Sequence, residues 1–291
     1  MSFDTLAGAR PDLLAIADEE RRFGGLRRLY GEAGYARLRA ARVAVVGLGG
    51  VGSWAAEALA RSGVARLVLI DLDHVAESNI NRQVQALGRT LGQAKAVALA
   101  ERIADIHPGC EVMPVEAFVE PGNWPGLLPA AVDAVIDACD ESRAKLALAA
   151  WSLERHVPLV CVGAAGGKRL AQHVEVDDLA GVTHDPLLAS LRQRLRKQLR
   201  GDAGAAPRGG LEGLGGLGGL GVRCVFSRES VAAPADASGL AADGDGTLNC
   251  HGYGSSVAVA ATFGMVAAGE VIALLLRDRP AADAVKNNDT M

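Results

Sequence analysis

Aromatic residues are scarce, at 4% of the 291-residue chain. A surface that stacks many bases in a row needs them in number, so that mode of single-strand binding is excluded. Positive charge is not in excess either. The formal net charge is −4, so no global basic field draws in nucleic acid, and any such contact needs a local patch. The five cysteines, Cys110, Cys139, Cys161, Cys224 and Cys250, include no C-x-x-C pair. Their spacing suits neither a zinc site nor a disulfide framework, and a reduced cytoplasm fits best. The stretch from Met1 to Arg22 holds several acids and no long apolar core, unlike a secretory signal.

Apolar residues are plentiful, at 49%, which is ample for a sizeable core. One run stands out. Ser255 to Leu276 is almost continuously apolar and long enough to span a bilayer. It also contains Gly264, Gly269 and Glu270, and a carboxylate in hydrocarbon costs roughly 3 kcal/mol on insertion scales. The favoured expectation is a buried helix of an α/β core. Membrane association through this helix is the alternative.

The pattern from Arg42 onward alternates strand and helix. Arg42–Val46, Arg66–Ile70, Glu111–Val115, Ala134–Ile136 and Pro158–Val162 read as strands. Ser53 to Arg61, Gln93 to Ile106 and Ser142 to Glu154 have helical spacing. Such alternation predicts a doubly wound, mostly parallel sheet. The pattern then changes: Gln172–Val176 is a short alternating strand and Pro186 to Arg200 a basic helix. Gly201 to Gly221 is glycine-rich and read as a mobile loop, with another loop from Val231 to Gly246. Residues 1–166 are expected to hold an N-terminal helical segment and a nucleotide-binding domain. Residues 167–291 are expected to form a C-terminal extension, continuous with it as one domain.

The chemistry is announced by VVGLGGVGSW, Val45 to Trp54. Gly47, Gly49 and Gly52 fit G-x-G-x-x-G between a strand and a helix, with Gly50 in the same turn. Such a turn lets backbone N–H groups and the helix N-terminus meet a phosphate. Asp71, ending the second strand, stands where an acid binds ribose hydroxyls. That much fits either a nicotinamide enzyme or one that consumes a nucleotide. The next segment separates them: Asn79, Asn81, Arg82 and Gln83 in SNINRQ, then Lys95 in GQAK. An arginine and a lysine beyond the second strand neutralise a triphosphate and a pentavalent α-phosphorus. Asp140, in VIDACDE, is placed to hold Mg²⁺ on the phosphates, with Asp137 as its rival.

These motifs together, with RFGGLRRLYGE, AERIADIHP, DPLLASLRQRLR and RCVFSRE, resemble the ThiF/MoeB/HesA superfamily of adenylating enzymes, relatives of ubiquitin-activating enzyme. The match is closer to one branch, the tRNA threonylcarbamoyladenosine dehydratases, and runs from about Arg22 to about Ala268. The resemblance implies a Rossmann-like, ThiF/MoeB-type fold. It implies ATP with Mg²⁺, a monovalent cation (K⁺ or Na⁺) and no zinc. It also implies a homodimer, and tRNA bearing threonylcarbamoyladenosine as substrate. On the matching positions, Gly47, Gly49, Gly50 and Gly52 cradle phosphates and Asp71 holds the ribose. Asn79 and Gln83 contact the triphosphate. Arg82, Lys95 and the magnesium-linked Asp140 serve the reaction. The superfamily often supplies an arginine from the partner's N-terminal segment; Arg22 is chosen here, with Arg28 as the other candidate.

The alternative function is adenylation of a ubiquitin-like sulfur carrier. It would bring a sulfur-transfer protein partner and a reactive thiol, for which Cys224 and Cys250 are the candidates. Arg192, Arg194, Arg196, Lys197 and Arg200 make a dense basic helix that either grips tRNA phosphates or is a solvated face. Glu57 and Glu101 are expected on solvated faces or between helices.

Overall fold

The computed structural model describes residues 18–201, 219–231 and 253–277. Most of the glycine-rich stretch, the 231–246 loop beyond Val231, Cys250 and the first residues lie outside them.

Short buried runs of Val, Ile and Leu favour strands covered on both faces, as a parallel sheet requires. Among the described residues seven strands result: β1 (Arg42–Val46), β2 (Arg66–Ile70), β3 (Glu111–Val115), β4 (Ala134–Asp137), β5 (Leu159–Val162), β6 (Val174–Asp178) and β7 (Arg223–Ser227). They form one sheet in the order β3-β2-β1-β4-β5-β7-β6. Every pairing is parallel except β6 with β7. The order reverses between β1 and β4, so the crevice at their C-terminal ends is where a doubly wound sheet binds ligand.

Alternate residues of each strand feed opposite layers. Val43 and Val45 of β1 face α2 (Gly52–Arg61), α3 (Lys95–Ile106) and α6 (Val257–Leu276). Ala44 and Val46 face α4 (Ser142–Arg155) and α5 (Pro186–Gly201). The first helix, α1 (Glu19–Ala40), kinks at Gly31, where φ is 72°. It adds Leu38 to the first layer.

The apolar C-terminal run is a core helix. Val259, Phe263, Ala267, Val271 and Leu274 of α6 are buried. A Cβ at Gly264 would stand 2.4 Å from the Val51 carbonyl oxygen, so α6 meets the start of α2 backbone to backbone. The carboxylate in the run is also accounted for, since Glu270 accepts from Arg223 Nε of β7 at 2.7 Å.

Two expectations are corrected. The strand expected at Gln172–Val176 begins two residues later, because Ala171–His173 forms a 3₁₀ turn first. Arg223–Ser227, read only as part of a resemblance, is a strand, and it bridges β5 to β6.

Candidate nucleotide-binding site

The C-terminal ends of β1, β2 and β4 carry the site. Gly47 follows β1 with φ 83°, the left-handed region that favours glycine. A Cβ there would lie 2.8 Å from Cys139 N, and one at Gly52 would lie 1.8 Å from Gly47 O. Both glycines are therefore demanded by the turn's own packing. No described residue lies within 4 Å of a Cβ at Gly49. At Gly50 a Cβ would meet Arg82 Cγ at 3.2 Å and Cδ at 3.3 Å, so the Arg82 stem lies over the turn.

Asp71 braces this turn. Its Oδ2 accepts from Leu48 N at 2.6 Å and its Oδ1 from Asp73 N at 2.9 Å. Burial pushes its carboxyl above the usual range, although Lys95 and these two N–H donors pull the other way. Lys95 opens α3, and its Nζ donates to Asp73 Oδ2 at 2.7 Å. The ammonium side chain is 8% exposed and that carboxylate 53%, so the cation's aliphatic stem is held by the fold while its acidic partner faces solvent.

The loop between β2 and α3 is internally cross-linked. Asn79 Oδ1 accepts from Ala76 N at 3.0 Å and closes a 3₁₀ turn. The Arg82 guanidinium donates to Ser78 O at 2.6 Å and Asn81 Oδ1 at 3.0 Å. Gln83 is buried, and its Oε1 accepts from Gln85 Nε2 at 3.2 Å. Gln85 also donates to Leu48 O at 2.9 Å and so ties the loop to the glycine turn. Sequence reasoning missed Gln85 and Asp73, although both lie within or beside the motif segments that carried the reading.

On the other side, the turn after β4 packs on Gly47 and exposes Asp140 at the rim. Beneath it lies a fully buried ion pair, Lys145 Nζ to Asp137 Oδ2 at 3.1 Å, both side chains 0% exposed. Burial alone would lower the lysine's pKa, but the Asp137 carboxylate and nearby thiols raise it overall. Asp137 also accepts from Cys139 N at 3.2 Å and from Cys161 Sγ at 3.1 Å. Asp137 is thus an internal brace for the turn that presents Asp140. Among the described residues, no group of three or more His, Cys, Asp or Glu side chains could hold a metal on its own. A lone exposed carboxylate still suits Mg²⁺, which takes most of its ligands from phosphates and water.

Other expected residues fall elsewhere. Arg22 does not join this cluster in its own chain. Its Nη1 donates to Asp105 O at 3.1 Å and Ile106 O at 2.7 Å, capping the far end of α3. Eleven residue steps separate Lys95 from Ile106, about 17 Å of helix. Cys224 is fully buried in the second core layer, away from this cluster, and burial pushes its thiol well above the usual range. Glu57 is buried between helices, paired with Arg61 and Arg102. Glu101 is exposed and accepts from Gln93 at 2.8 Å.

Residues 23–291 match the ThiF family. The chain is 42% identical over 266 residues to the tRNA threonylcarbamoyladenosine dehydratase of Escherichia coli, covering 89% of this chain and 95% of that protein. It is 36% identical to the Haemophilus influenzae protein of the same name, over 91% and 97% of the two chains. The crystal structure of the E. coli dehydratase in complex with ATP superposes with a TM-score of 0.75 at 40% identity, covering 90% of this chain and 96% of that one.

Proposed function

Because this chain belongs to the ThiF family, we propose that it uses ATP to activate the carboxylate of threonylcarbamoyladenosine in tRNA and closes that side chain into a ring. One observation supports the reading: the Arg82 stem lies over Gly50, which brings an arginine of the β2–α3 loop beside the glycine turn, its guanidinium held by Ser78 O and Asn81 Oδ1. A dinucleotide carrier holding one pyrophosphate on its glycine turn has no need of that cation, whereas α-phosphate chemistry does. Similarity to tRNA threonylcarbamoyladenosine dehydratases along nearly the whole chain supports the same reading.

A carboxylate is a poor electrophile. Its oxygen attacks the α-phosphorus of ATP, the bond to the β-phosphate oxygen breaks, and pyrophosphate leaves. The mixed anhydride has AMP as leaving group. A nucleophilic atom of the same side chain then attacks the acyl carbon, and AMP departs with the former carboxylate oxygen. One water is lost overall. Backbone N–H groups of the Gly47–Gly52 turn and the α2 N-terminus orient the phosphates. Arg82 and Lys95 stabilise charge at the α-phosphorus, the triphosphate taking over from Asp73 as the partner of the Lys95 ammonium. Asn79 and Gln83 hold the loop that presents Arg82, and Asp71 holds the turn and the ribose. Asp140 would hold Mg²⁺, which when bound neutralises charge on the phosphates.

We place the enzyme in the cytoplasm as a homodimer. Arg22 then acts only if the partner protomer's copy reaches this site, and light scattering tests the assembly. A bound monovalent cation completes the reading, tested by activity in K⁺, Na⁺ and a bulky organic cation. With ATP and modified tRNA, the protein should release AMP and pyrophosphate and lower the nucleoside's mass by one water. Pyrophosphate exchange that depends instead on a small carrier protein would favour the sulfur-carrier reading.

A further inference from the structure

The basic helix α5 is not uniformly basic once folded. Leu188, Leu191 and Leu195 are buried in the second core layer. Arg192 belongs to the fold: its guanidinium donates to the carbonyls of Leu179 and Val182. Gln193, Arg196, Lys197 and Arg200 follow at i, i+3, i+4 and i+7, so they share one face, turned away from the leucines. With Ala189 and Arg192 they border an open surface groove of about 630 Å³ whose described lining comes from α5 alone. Arg196, Lys197 and Arg200 are exposed and make no hydrogen bond or ion pair with any described residue. Arg194 lies on the other edge of the helix, outside the groove.

Many of this chain's arginines are neutralised locally. Arg27, Arg39, Arg66, Arg223 and Arg228 each have a carboxylate partner. The α5 groove concentrates unpaired positive charge on a chain whose net charge is −4. Its position relates it to the site. Asp185, just before α5, accepts from Ala164 N at 2.9 Å, and its carboxylate sits over Gly163 at the end of β5. The helix therefore starts at the same rim as the nucleotide site and runs back down the flank of the sheet.

We infer that the Gln193–Arg196–Lys197–Arg200 face is the surface on which the tRNA sugar-phosphate backbone docks, outside the catalytic crevice. The inference rests on the tRNA reading above and adds the place of contact. Cations on one helix face recognise phosphate without reading sequence, and the neutral Gln193 offers both a donor and an acceptor to sugar or phosphate oxygens.

The test is the triple variant Arg196→Gln, Lys197→Gln, Arg200→Gln, with Arg194→Gln as control. All of these side chains are exposed, so folding is preserved. The triple variant should raise the KM for modified tRNA by about tenfold or more and lower the salt slope of tRNA binding by roughly 2 to 3. The kcat and the affinity for ATP should stay as in the wild type, and Arg194→Gln should leave the tRNA KM within about twofold. An unchanged KM and salt slope would overturn the inference. So would an equal defect in Arg194→Gln, which would make the attraction diffuse. Loss of binding to vesicles of anionic phospholipid, with tRNA binding intact, would assign the face to a membrane and overturn it as well. Wild-type protein that fails to dehydrate the tRNA would count against the function itself, so the two failures are distinguishable.

Discussion

Gly49 and Gly52 sit in one turn and make opposite demands. A Cβ at Gly52 would stand 1.8 Å from Gly47 O, so Gly52→Ala should cost about 3 kcal/mol or more in urea unfolding. A Cβ at Gly49 meets no described residue within 4 Å, so Gly49→Ala should change stability by less than about 0.5 kcal/mol. If Gly49 admits the phosphates, that variant should nevertheless bind ATP several-fold more weakly by calorimetry. Lys95→Ala should lower kcat/KM by about 10² to 10³ in pyrophosphate release while the fold survives, because the carboxylate left behind is solvent-exposed. Unchanged turnover would remove Lys95 from the reaction. Lys145 makes the opposite case. Lys145→Met strands a fully buried Asp137 carboxylate and should cost about 3 to 5 kcal/mol, and adding Asp137→Asn should recover much of it. These side chains were unequally legible. Arg82 and Lys95 stand in short motifs with chemical meaning. Lys145 reads as one more helical lysine, since the strand ends that bury it are brought together only by the fold.

At the level of elements, the central strands were the easiest to read. β1, β2 and β3 have the bounds expected of them, because short apolar runs between turns have few other ways to bury themselves. β7 was not foreseen as a strand: RCVFS begins with a charge, ends with a serine and follows a glycine-rich stretch. Its partner β6 was misplaced by two residues for the related reason that its alternation starts within a 3₁₀ turn. The helix α6 looked long enough for a membrane by composition, and in the fold it buries one face and makes one close approach to α2. Gly264→Ala would put a Cβ 2.4 Å from Val51 O and push on the start of α2, so it should lower stability and ATP affinity together. A Cβ at Gly269, on the exposed side, meets no described residue within 4 Å, and Gly269→Ala should be neutral or stabilise by up to about 1 kcal/mol. Docking of α1 against the end of α3 brings a pH dependence. His107 is fully buried, its Nε2 accepts from Arg39, and burial followed by that guanidinium holds its pKa down at about 4, against an ordinary 6.5. Between those values the unfolded chain binds more protons than the folded one. Stability from His107 is therefore complete above about 6.5 and is lost as pH falls toward 4, up to about 3 kcal/mol in all. The urea midpoint should drop between pH 7 and pH 5, and His107→Gln should flatten that drop.

For the whole molecule, the seven-stranded sheet brings to one rim a glycine turn, two cations and two acids drawn from different strand ends. The motif residues announced that rim in advance because phosphate chemistry demands particular residue types at short spacing. What the sequence could not announce was the support: Gln85 reaching back to Leu48, Asp73 holding Lys95, Asp137 holding the turn before Asp140, and α6 pressed on α2. Each joins segments that only folding makes neighbours. The central claim, that this rim spends ATP to dehydrate threonylcarbamoyladenosine in tRNA, is tested most directly by mass spectrometry of tRNA nucleosides after incubation with the purified protein and ATP. The modified nucleoside should lose the mass of one water, with AMP and pyrophosphate formed in equal amounts and nothing formed without ATP. An unchanged nucleoside mass, with ATP bound and the protein folded, would contradict it.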